Sequence, residues 1–136
     1  MSGLGLSTLI MPPHKPTIGI LTGGGDCPGL NAVIRAATKA AARLGYDCIG
    51  FLKGYEGLVD PVSYMPLPPQ NTAGILLQGG TILGSTKKRR FSALVGEAER
   101  VGIDPQLLAQ GAATVRQIGI SGLICAGGDG SLAIAQ

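Results

Sequence analysis

Few side chains in this chain suit acid–base or metal chemistry at neutral pH. Its 136 residues contain no tryptophan and a single histidine, His14. Because that histidine is alone and lies in the N-terminal tail, we expect neither a zinc site built on several histidines nor a Ser-His-Asp hydrolase centre. The three cysteines, Cys27, Cys48 and Cys125, form no C-x-x-C pair. Their odd number and spacing are typical of reduced thiols in the cytoplasm, and not of a disulfide framework.

Charge is also scarce. Charged residues make up 14% of the chain and hydrophobic residues 45%, a balance typical of a parallel sheet covered by helices on both faces. The formal net charge is +3, and the run Lys87-Lys88-Arg89-Arg90 supplies four of the eleven cations. No aromatic residue interrupts this run, so it favours a polyphosphate ligand or a solvated loop over a nucleic-acid surface.

The N-terminal stretch holds no apolar run that could form a signal peptide or a membrane span. Residues 1–16 are rich in Gly, Ser and Pro, lack a basic start, and have a broken apolar pattern. We expect them to form a disordered extension, with the folded part beginning at Thr17.

What the chain has in quantity is glycine, with 23 residues, many in pairs and triples. The richest stretch predicts a buried strand at 18–22, a turn at Gly23-Gly24-Gly25, and a helix from about Pro28 to Leu44. Asp26 is the expected N-cap, with Pro28 in the first turn. A strand, a bare turn and a helix start favour anion binding. The spacing matches neither the dinucleotide fingerprint nor a P-loop, and an empty turn remains the alternative.

Further elements follow from periodicity and from helix start and stop residues. We expect a second parallel strand at 48–52, an edge strand at 62–65 and a short helix at 72–78 capped by Asn71. A further helix should begin at Asp104-Pro105 and stop at Gly119, followed by a strand at 123–126. The apolar residues expected to face inward are, on the first helix, Val33, Ile34, Ala37, Ala41 and Leu44, and on the later helix, Leu107, Leu108, Val115 and Ile118.

A second glycine loop repeats the logic of the first. Gly127-Gly128-Asp129-Gly130-Ser131 follows an apolar strand and precedes a helix expected from Leu132. Both loops leave the carboxyl ends of parallel strands, where open α/β sheets bind ligands. Asp129 is therefore interpreted either as a hook for Mg²⁺ or as a helix N-cap.

Four segments together resemble one family, the 6-phosphofructokinases. They are Gly19–Arg35, Gly54-Tyr-Glu-Gly-Leu58, Gly79–Thr86 and Gly127–Ser131, in the family's order and spacing. The resemblance covers about residues 17 to 136 and implies the N-terminal part of an ATP-binding domain. The implied fold is α/β, a Rossmann-like three-layer sandwich with a mostly parallel sheet that is incomplete in this chain. The implied activity is phosphoryl transfer from ATP, with Mg²⁺, to the 1-hydroxyl of fructose 6-phosphate.

The resemblance also implies roles for individual residues. Gly25, Gly128, Asp129, Gly130 and Ser131 would contact the donor phosphates, and Asp129 would anchor Mg²⁺. Lys87 aligns with an ATP-contacting arginine, with Lys88 beside it, and lysine keeps that charge but loses the bidentate fork. Tyr55 would lie beside the nucleotide, the alternative being an apolar lid on the sheet. Gly130 favours ATP over pyrophosphate, whose users typically carry a second aspartate there.

Other implications concern control, partners and completeness. Arg35 and Lys39 match two effector-binding positions of bacterial members, while a third, near Val62, is not basic. The family implies a cytoplasmic homo-oligomer, and neither nucleic acid nor membrane is expected as a partner. No Thr-Ile-Asp-Asn-Asp-like motif, which carries the family's catalytic base, occurs in residues 1–136, so we expect the fragment alone to be inactive. The alternatives are a pyrophosphate-dependent enzyme, an NAD or lipid kinase, and a non-catalytic nucleotide-binding module.

Overall fold

The structure, a computed structural model, describes residues 14–25, 27–85, 90–91 and 103–136. The described residues contain four strands in one sheet: β1 (Thr17–Thr22), β2 (Asp47–Phe51), β3 (Tyr64–Pro66) and β4 (Ile120–Ala126). In the same ranges three α-helices accompany them: α1 (Leu30–Arg43), α2 (Pro105–Ile118) and α3 (Asp129–Ala135). The described stretch between β2 and α2 also holds three short 3-10 helices, at Gly54–Leu58, Pro69–Thr72 and Ile75–Leu77. No helix among the described residues is long and apolar enough to cross a membrane.

The sheet is mostly parallel. Its strand order is β3-β2-β1-β4, with β1 parallel to both β2 and β4, and the short β3 antiparallel to β2. The predicted α/β class is confirmed, as is the parallel pairing of the first two strands. Because β1 and β4 are adjacent and parallel, the loops that follow them leave the same edge of the sheet.

Apolar side chains cover the sheet on both faces. Ile20 and Leu21 of β1 alternate across it, and both are fully buried. Ile20 belongs to a core with Ile34 of α1, and Leu21 to a second core against which Val115 of α2 packs. The helices α1 and α2 therefore lie on opposite faces, which gives the expected three layers.

The start of α1 differs from the prediction. Its N-cap is Gly29, with a left-handed φ of 98°, and the helix begins at Leu30. Pro28 lies in a turn before the helix, and Asp26 lies outside the described residues. The positive φ separates the turn from the helix, which is a conformation that glycine adopts without strain. The end agrees better, since Gly45 follows the helix with a φ of 80°.

The inward face of α1 is more polar than predicted. Its buried residues are Leu30, Asn31, Ile34, Thr38 and Ala41. Val33 and Leu44 were predicted to face inward but are exposed, by 43% and 74%. Val33 precedes Ile34 by one position and is turned away from the buried stripe, while Leu44 lies beyond the last helical turn.

Between β2 and α2, one predicted element is absent and one is shifted. The helix predicted at 72–78 with an Asn71 cap is wrong, because Gly74, with a φ of 81°, separates two 3-10 helices there. The edge strand was expected at 62–65 and is β3, Tyr64–Pro66.

The predicted start and stop of α2 are confirmed. Asp104 caps the helix, its Oδ1 accepting a hydrogen bond from the Gln106 N–H at 2.9 Å, and Gly119 ends it. Leu108 was predicted to face inward but is 44% exposed. Gly111 is buried instead, where α2 approaches Leu58.

Candidate functional site

The two glycine loops that the sequence singled out separately lie against each other. The Gly23 N–H, just after β1, donates to the Ala126 carbonyl at the end of β4 at 2.8 Å. A Cβ placed on Gly127 would lie 2.9 Å from the Gly23 carbonyl oxygen and 2.7 Å from the Ser131 Cβ. A Cβ on Gly23 would overlap the Ser131 hydroxyl. Bare backbone at both positions is thus a condition of the close approach.

Gly24, Gly25 and Gly128 are less closely packed than Gly23 and Gly127. Gly24 adopts a left-handed φ of 74°, and a Cβ there would lie 3.6 Å from the Gly128 nitrogen. Gly25 and Gly128 are both exposed, and no atom would lie within 4 Å of a Cβ on Gly128. Glycine is therefore not required by packing at Gly128, and its backbone is accessible to a ligand.

The second loop passes directly into α3. The helix begins at Asp129, one turn earlier than expected, and its N-cap is Gly128. The alternative interpretation of Asp129 as the N-cap is therefore wrong. Asp129, Gly130 and Ser131 form the first turn, where backbone N–H groups have no acceptor within the helix.

Tyr55 connects the 3-10 helix Gly54–Leu58 to this turn. Its hydroxyl donates to the Ser131 carbonyl at 2.8 Å, and the residue is 7% exposed. Burial raises the pKa of the Tyr55 hydroxyl, and the neighbouring Cys125 raises that pKa further. The hydroxyl therefore stays protonated and able to donate at neutral pH.

A third loop, Gly79–Ser85, is held against the same edge of the sheet. The fully buried Thr22 Oγ1 lies 2.8 Å from the Thr81 Oγ1 and donates to the Gly84 carbonyl at 3.0 Å. The Asn31 Nδ2 donates to the Gln78 carbonyl at 3.2 Å, and its Oδ1 accepts from the Ile82 N–H at 2.7 Å. Sequence reasoning missed both residues; the available signal was a polar side chain at the end of a buried strand and another on an inward helix position.

The cationic run reaches the described part of the chain at Arg90. Lys87 and Lys88, the predicted donor contacts, lie outside the described residues. The Arg90 Nε and Nη2 donate to the Glu56 Oε2 at 3.0 and 2.8 Å, and Nη1 donates to the Asp60 carbonyl at 3.3 Å. The Phe91 ring lies 5.8 Å from the Tyr55 ring, centroid to centroid, at an interplanar angle of 36°.

A largely apolar cavity of about 330 Å³ is lined by residues of α2, β4, α3 and the 3-10 helix Gly54–Leu58. The lining residues include Tyr55, Phe91, Cys125 of β4, Ile134 of α3 and Val115 of α2. Its volume lies within the range of small-ligand pockets.

Arg35 and Lys39, the possible effector residues, lie on α1 away from these loops. The Arg35 Nη1 donates to the Thr72 carbonyl at 3.1 Å, so this guanidinium joins α1 to the 3-10 helix Pro69–Thr72. Lys39 is exposed.

The donor atoms near the loops fit Mg²⁺ in one particular way. Asp129 is exposed in the first turn of α3, and no group of three or more His, Cys, Asp or Glu side chains suited to a metal occurs within the described ranges. Mg²⁺ commonly binds one or two carboxylates together with substrate phosphates and water. Asp129, an accessible carboxylate in the described part of the chain next to the unobstructed Gly128, fits that mode.

Comparison with known proteins adds independent information. A family model described as phosphofructokinase matches residues 17–136. An ATP-dependent 6-phosphofructokinase of Chloroflexus aggregans is 43% identical over 125 residues, covering 92% of this chain and 34% of the relative. An ATP-dependent 6-phosphofructokinase 2 of Clostridium perfringens is 41% identical over 129 residues, covering 93% and 35%. The chain therefore spans about a third of the length of these relatives.

Solved structures agree with the sequence comparisons. The crystal structure of Pichia pastoris phosphofructokinase in the T-state superimposes with a TM-score of 0.78 at 33% identity, covering 92% of this chain and 12% of that one. A phosphofructokinase structure from Saccharomyces cerevisiae gives a TM-score of 0.73 at 30% identity, covering 88% and 15%.

Proposed function

Because the chain belongs to the phosphofructokinase family, we propose that it forms the donor-binding part of an ATP-dependent 6-phosphofructokinase. The whole enzyme would transfer the γ-phosphoryl group of ATP to the 1-hydroxyl of fructose 6-phosphate. The observation that carries the proposal is the contact between the two glycine loops, closed by the 2.8 Å bond from the Gly23 N–H to the Ala126 carbonyl. That contact joins two bare backbone segments at the carboxyl ends of parallel strands, where phosphates bind in α/β folds.

The donor phosphates would lie along these loops. Gly25 would face them from the first loop, and Gly128, Asp129, Gly130 and Ser131 from the second. The absence of side chains at the glycines lets phosphate oxygens approach backbone N–H groups closely. Lys87 and Lys88 would add positive charge from the cationic run. Gly130 adds no negative charge beside the nucleotide, in agreement with the ATP-dependent names of the relatives.

Asp129 would hold Mg²⁺ through its exposed carboxylate. When bound, the ion would supply positive charge that offsets the negative charge of the donor phosphates. The neighbouring N–H groups of the first turn of α3 would orient the same phosphates. Tyr55 would support them from behind, since its hydroxyl fixes the Ser131 carbonyl.

The nucleotide base would lie next to Tyr55, in the cavity that Tyr55 and Phe91 line. A purine ring is flat and largely apolar, so aromatic and aliphatic walls suit it. Tyr55 connects the cavity to the turn that carries the proposed phosphate contacts, since it lines the cavity and bonds to the Ser131 carbonyl.

The remaining roles follow from the family. Fructose 6-phosphate would be the acceptor, and we assign no residue of this chain to its binding. The complete enzyme would be a cytoplasmic homo-oligomer. Lys39, with Arg35 beside it on α1, would contact an effector nucleotide, although the bond from Arg35 to the Thr72 carbonyl commits one of its donors.

Isothermal titration calorimetry with the whole chain tests the donor site. We expect MgATP binding that weakens at least tenfold in Asp129→Asn, because the carboxylate charge that holds the ion is lost while the side-chain shape is kept. ATP with EDTA should bind the variant at least as tightly as the unaltered chain, because without the ion the carboxylate only repels the phosphates.

Asp47→Asn serves as the matched control, since Asp47 is an exposed carboxylate at the start of β2, at the opposite end of the sheet. A control variant that loses as much MgATP affinity as Asp129→Asn would contradict the assignment of the ion to Asp129. No MgATP binding by the unaltered chain would contradict the donor site as a whole.

A further inference from the structure

Two neighbouring residues of the 3-10 helix Gly54–Leu58 hold two neighbouring residues from a distant part of the chain. Tyr55 packs its ring against Phe91, and Glu56 pairs with Arg90. We call these two contacts the double clasp. Gly57 keeps this helix close to its surroundings, since a Cβ there would lie 2.6 Å from the carbonyl oxygens of Leu52 and Ser63. The clasp is therefore built on a firmly packed element.

Among the residues that the structure describes, the ionic half of the clasp depends on Arg90. The Glu56 side chain is 11% exposed, whereas the Arg90 side chain is 45% exposed. Both guanidinium bonds end on Oε2, and Oε1 is buried with no hydrogen-bond partner among the residues that the structure describes. A buried carboxylate without its cation is strongly disfavoured. The buried Glu56 carboxylate therefore holds the Arg90 guanidinium in place.

The aromatic half of the clasp depends on the ionic half through the backbone. Arg90 and Phe91 are consecutive, so fixing the guanidinium at Glu56 and at the Asp60 carbonyl limits where the Phe91 ring can lie. That ring and Tyr55 form one wall of the 330 Å³ cavity. Tyr55 in turn bonds to Ser131, a proposed phosphate contact.

We infer that Glu56 is a positioning residue for the nucleotide base: by holding Arg90, it keeps Phe91 against Tyr55 and so shapes the cavity beside the phosphate loops. The inference rests on the proposed donor site and adds to it a residue outside the glycine loops. Glu56 does not touch the nucleotide in this arrangement. Its effect reaches the base through Arg90 and Phe91.

The test compares two ligands that share phosphates but differ in the base, ATP and inorganic tripolyphosphate, each with Mg²⁺. Glu56→Gln keeps the shape of the side chain and removes its charge. We expect it to weaken ATP binding by roughly three- to tenfold and to change tripolyphosphate binding by less than about twofold. Arg90→Gln, made at a half-exposed side chain, should give the same split and a double variant no further loss.

Arg116→Gln is the matched control for Arg90→Gln, because it also replaces an arginine by glutamine, at an exposed position on α2. It should leave both affinities unchanged. Nuclear Overhauser contacts between the Tyr55 and Phe91 rings report the clasp without ligand, and we expect them to weaken in Glu56→Gln and in Arg90→Gln but not in the control.

The outcomes separate this inference from the function on which it rests. Equal losses of ATP and tripolyphosphate in Glu56→Gln would overturn the link to the base, and unchanged binding of both would overturn the role of Glu56. Absence of binding of either ligand to the unaltered chain would contradict the proposed donor site itself, and with it the role given to Glu56.

Discussion

Glycines in the two loops have different physical reasons for being glycine. A Cβ on Gly127 would be crowded, lying 2.9 Å from the Gly23 carbonyl oxygen and 2.6 Å from the Ser131 Oγ. Gly128, the next residue, has open space around its Cβ position and a negative φ of −88°. Packing therefore requires the first glycine, and only a ligand would require the second.

Alanine at each position separates these two reasons. Gly127→Ala should lower the free energy of unfolding by about 1–3 kcal/mol, because the new methyl group forces the loops apart. Gly128→Ala should unfold like the unaltered chain but bind MgATP more weakly, because its methyl group enters the space assigned to phosphate. Urea denaturation and calorimetry measure the two effects. Equal destabilisation by both substitutions, or full MgATP affinity in Gly128→Ala, would contradict this division.

At the scale of elements, α1 does more than cover the sheet. Its buried Asn31 bonds to Gln78, Gly79 and Ile82 and so holds the third glycine loop. Thr22, the last residue of β1, holds the same loop from the other side. A helix and a strand thus fix a loop that has no regular structure of its own.

Asn31→Ala should therefore disturb this loop. We expect the free energy of unfolding to fall by about 1–3 kcal/mol, since the Ile82 N–H and two carbonyls lose their partner. Asn71→Ala is the matched control, because Asn71 is exposed and makes one long bond, 3.4 Å, to the Pro66 carbonyl. The control should change stability by less than about 0.5 kcal/mol. Equal urea midpoints for the two variants would contradict the role given to Asn31.

The elements that sequence predicts well are those whose signals are local. The Asp104-Pro105 start and the Gly119 stop define α2 within one stretch of chain, and the apolar run 18–22 defines β1. The failures come from glycines whose backbone conformation depends on context, at Gly29 before α1 and at Gly74 between two 3-10 helices. Bonds from Thr22 to Gly84 and from Asn31 to Ile82 join residues 62 and 51 positions apart. Such partners are set by the fold and have no signature in the spacing of residues.

The candidate site likewise combines features that local sequence patterns predict with contacts that only the fold determines. Both glycine loops and Asp129 were predicted from strand, turn and helix-start patterns, and the structure brings the loops together. The ion pair between Glu56 and Arg90 was not predicted, because two opposite charges 34 residues apart in the sequence are indistinguishable from two separate solvated side chains. Tyr55 was predicted with two interpretations, and its buried hydroxyl bond to Ser131 belongs to the fold whichever ligand is present.

At the scale of the whole molecule, the proposed function separates donor binding from phosphoryl transfer. The proposed donor loops lie within the described residues, while residues 1–136 contain no Thr-Ile-Asp-Asn-Asp-like segment to supply a base for the acceptor hydroxyl. Phosphoryl transfer needs both the clamps and the base. We therefore expect the 136-residue polypeptide to bind MgATP and to release no ADP above the blank when fructose 6-phosphate is added. A coupled ADP assay measures this, and turnover that depends on fructose 6-phosphate would contradict it.

The position of β1 in the sheet also sets an order of events during synthesis. Its partner Ala126 is about a hundred residues downstream of Thr22. A ribosome adding 5–20 residues per second needs on the order of 5–20 s to cover that distance. After β2 has been made, the first strand can pair with it, but the other side of the first strand stays without its partner β4 until that strand follows. The nascent chain therefore exposes one unpaired edge of an apolar strand until β4 emerges. A chaperone that binds exposed apolar strands would act on this protein during that interval.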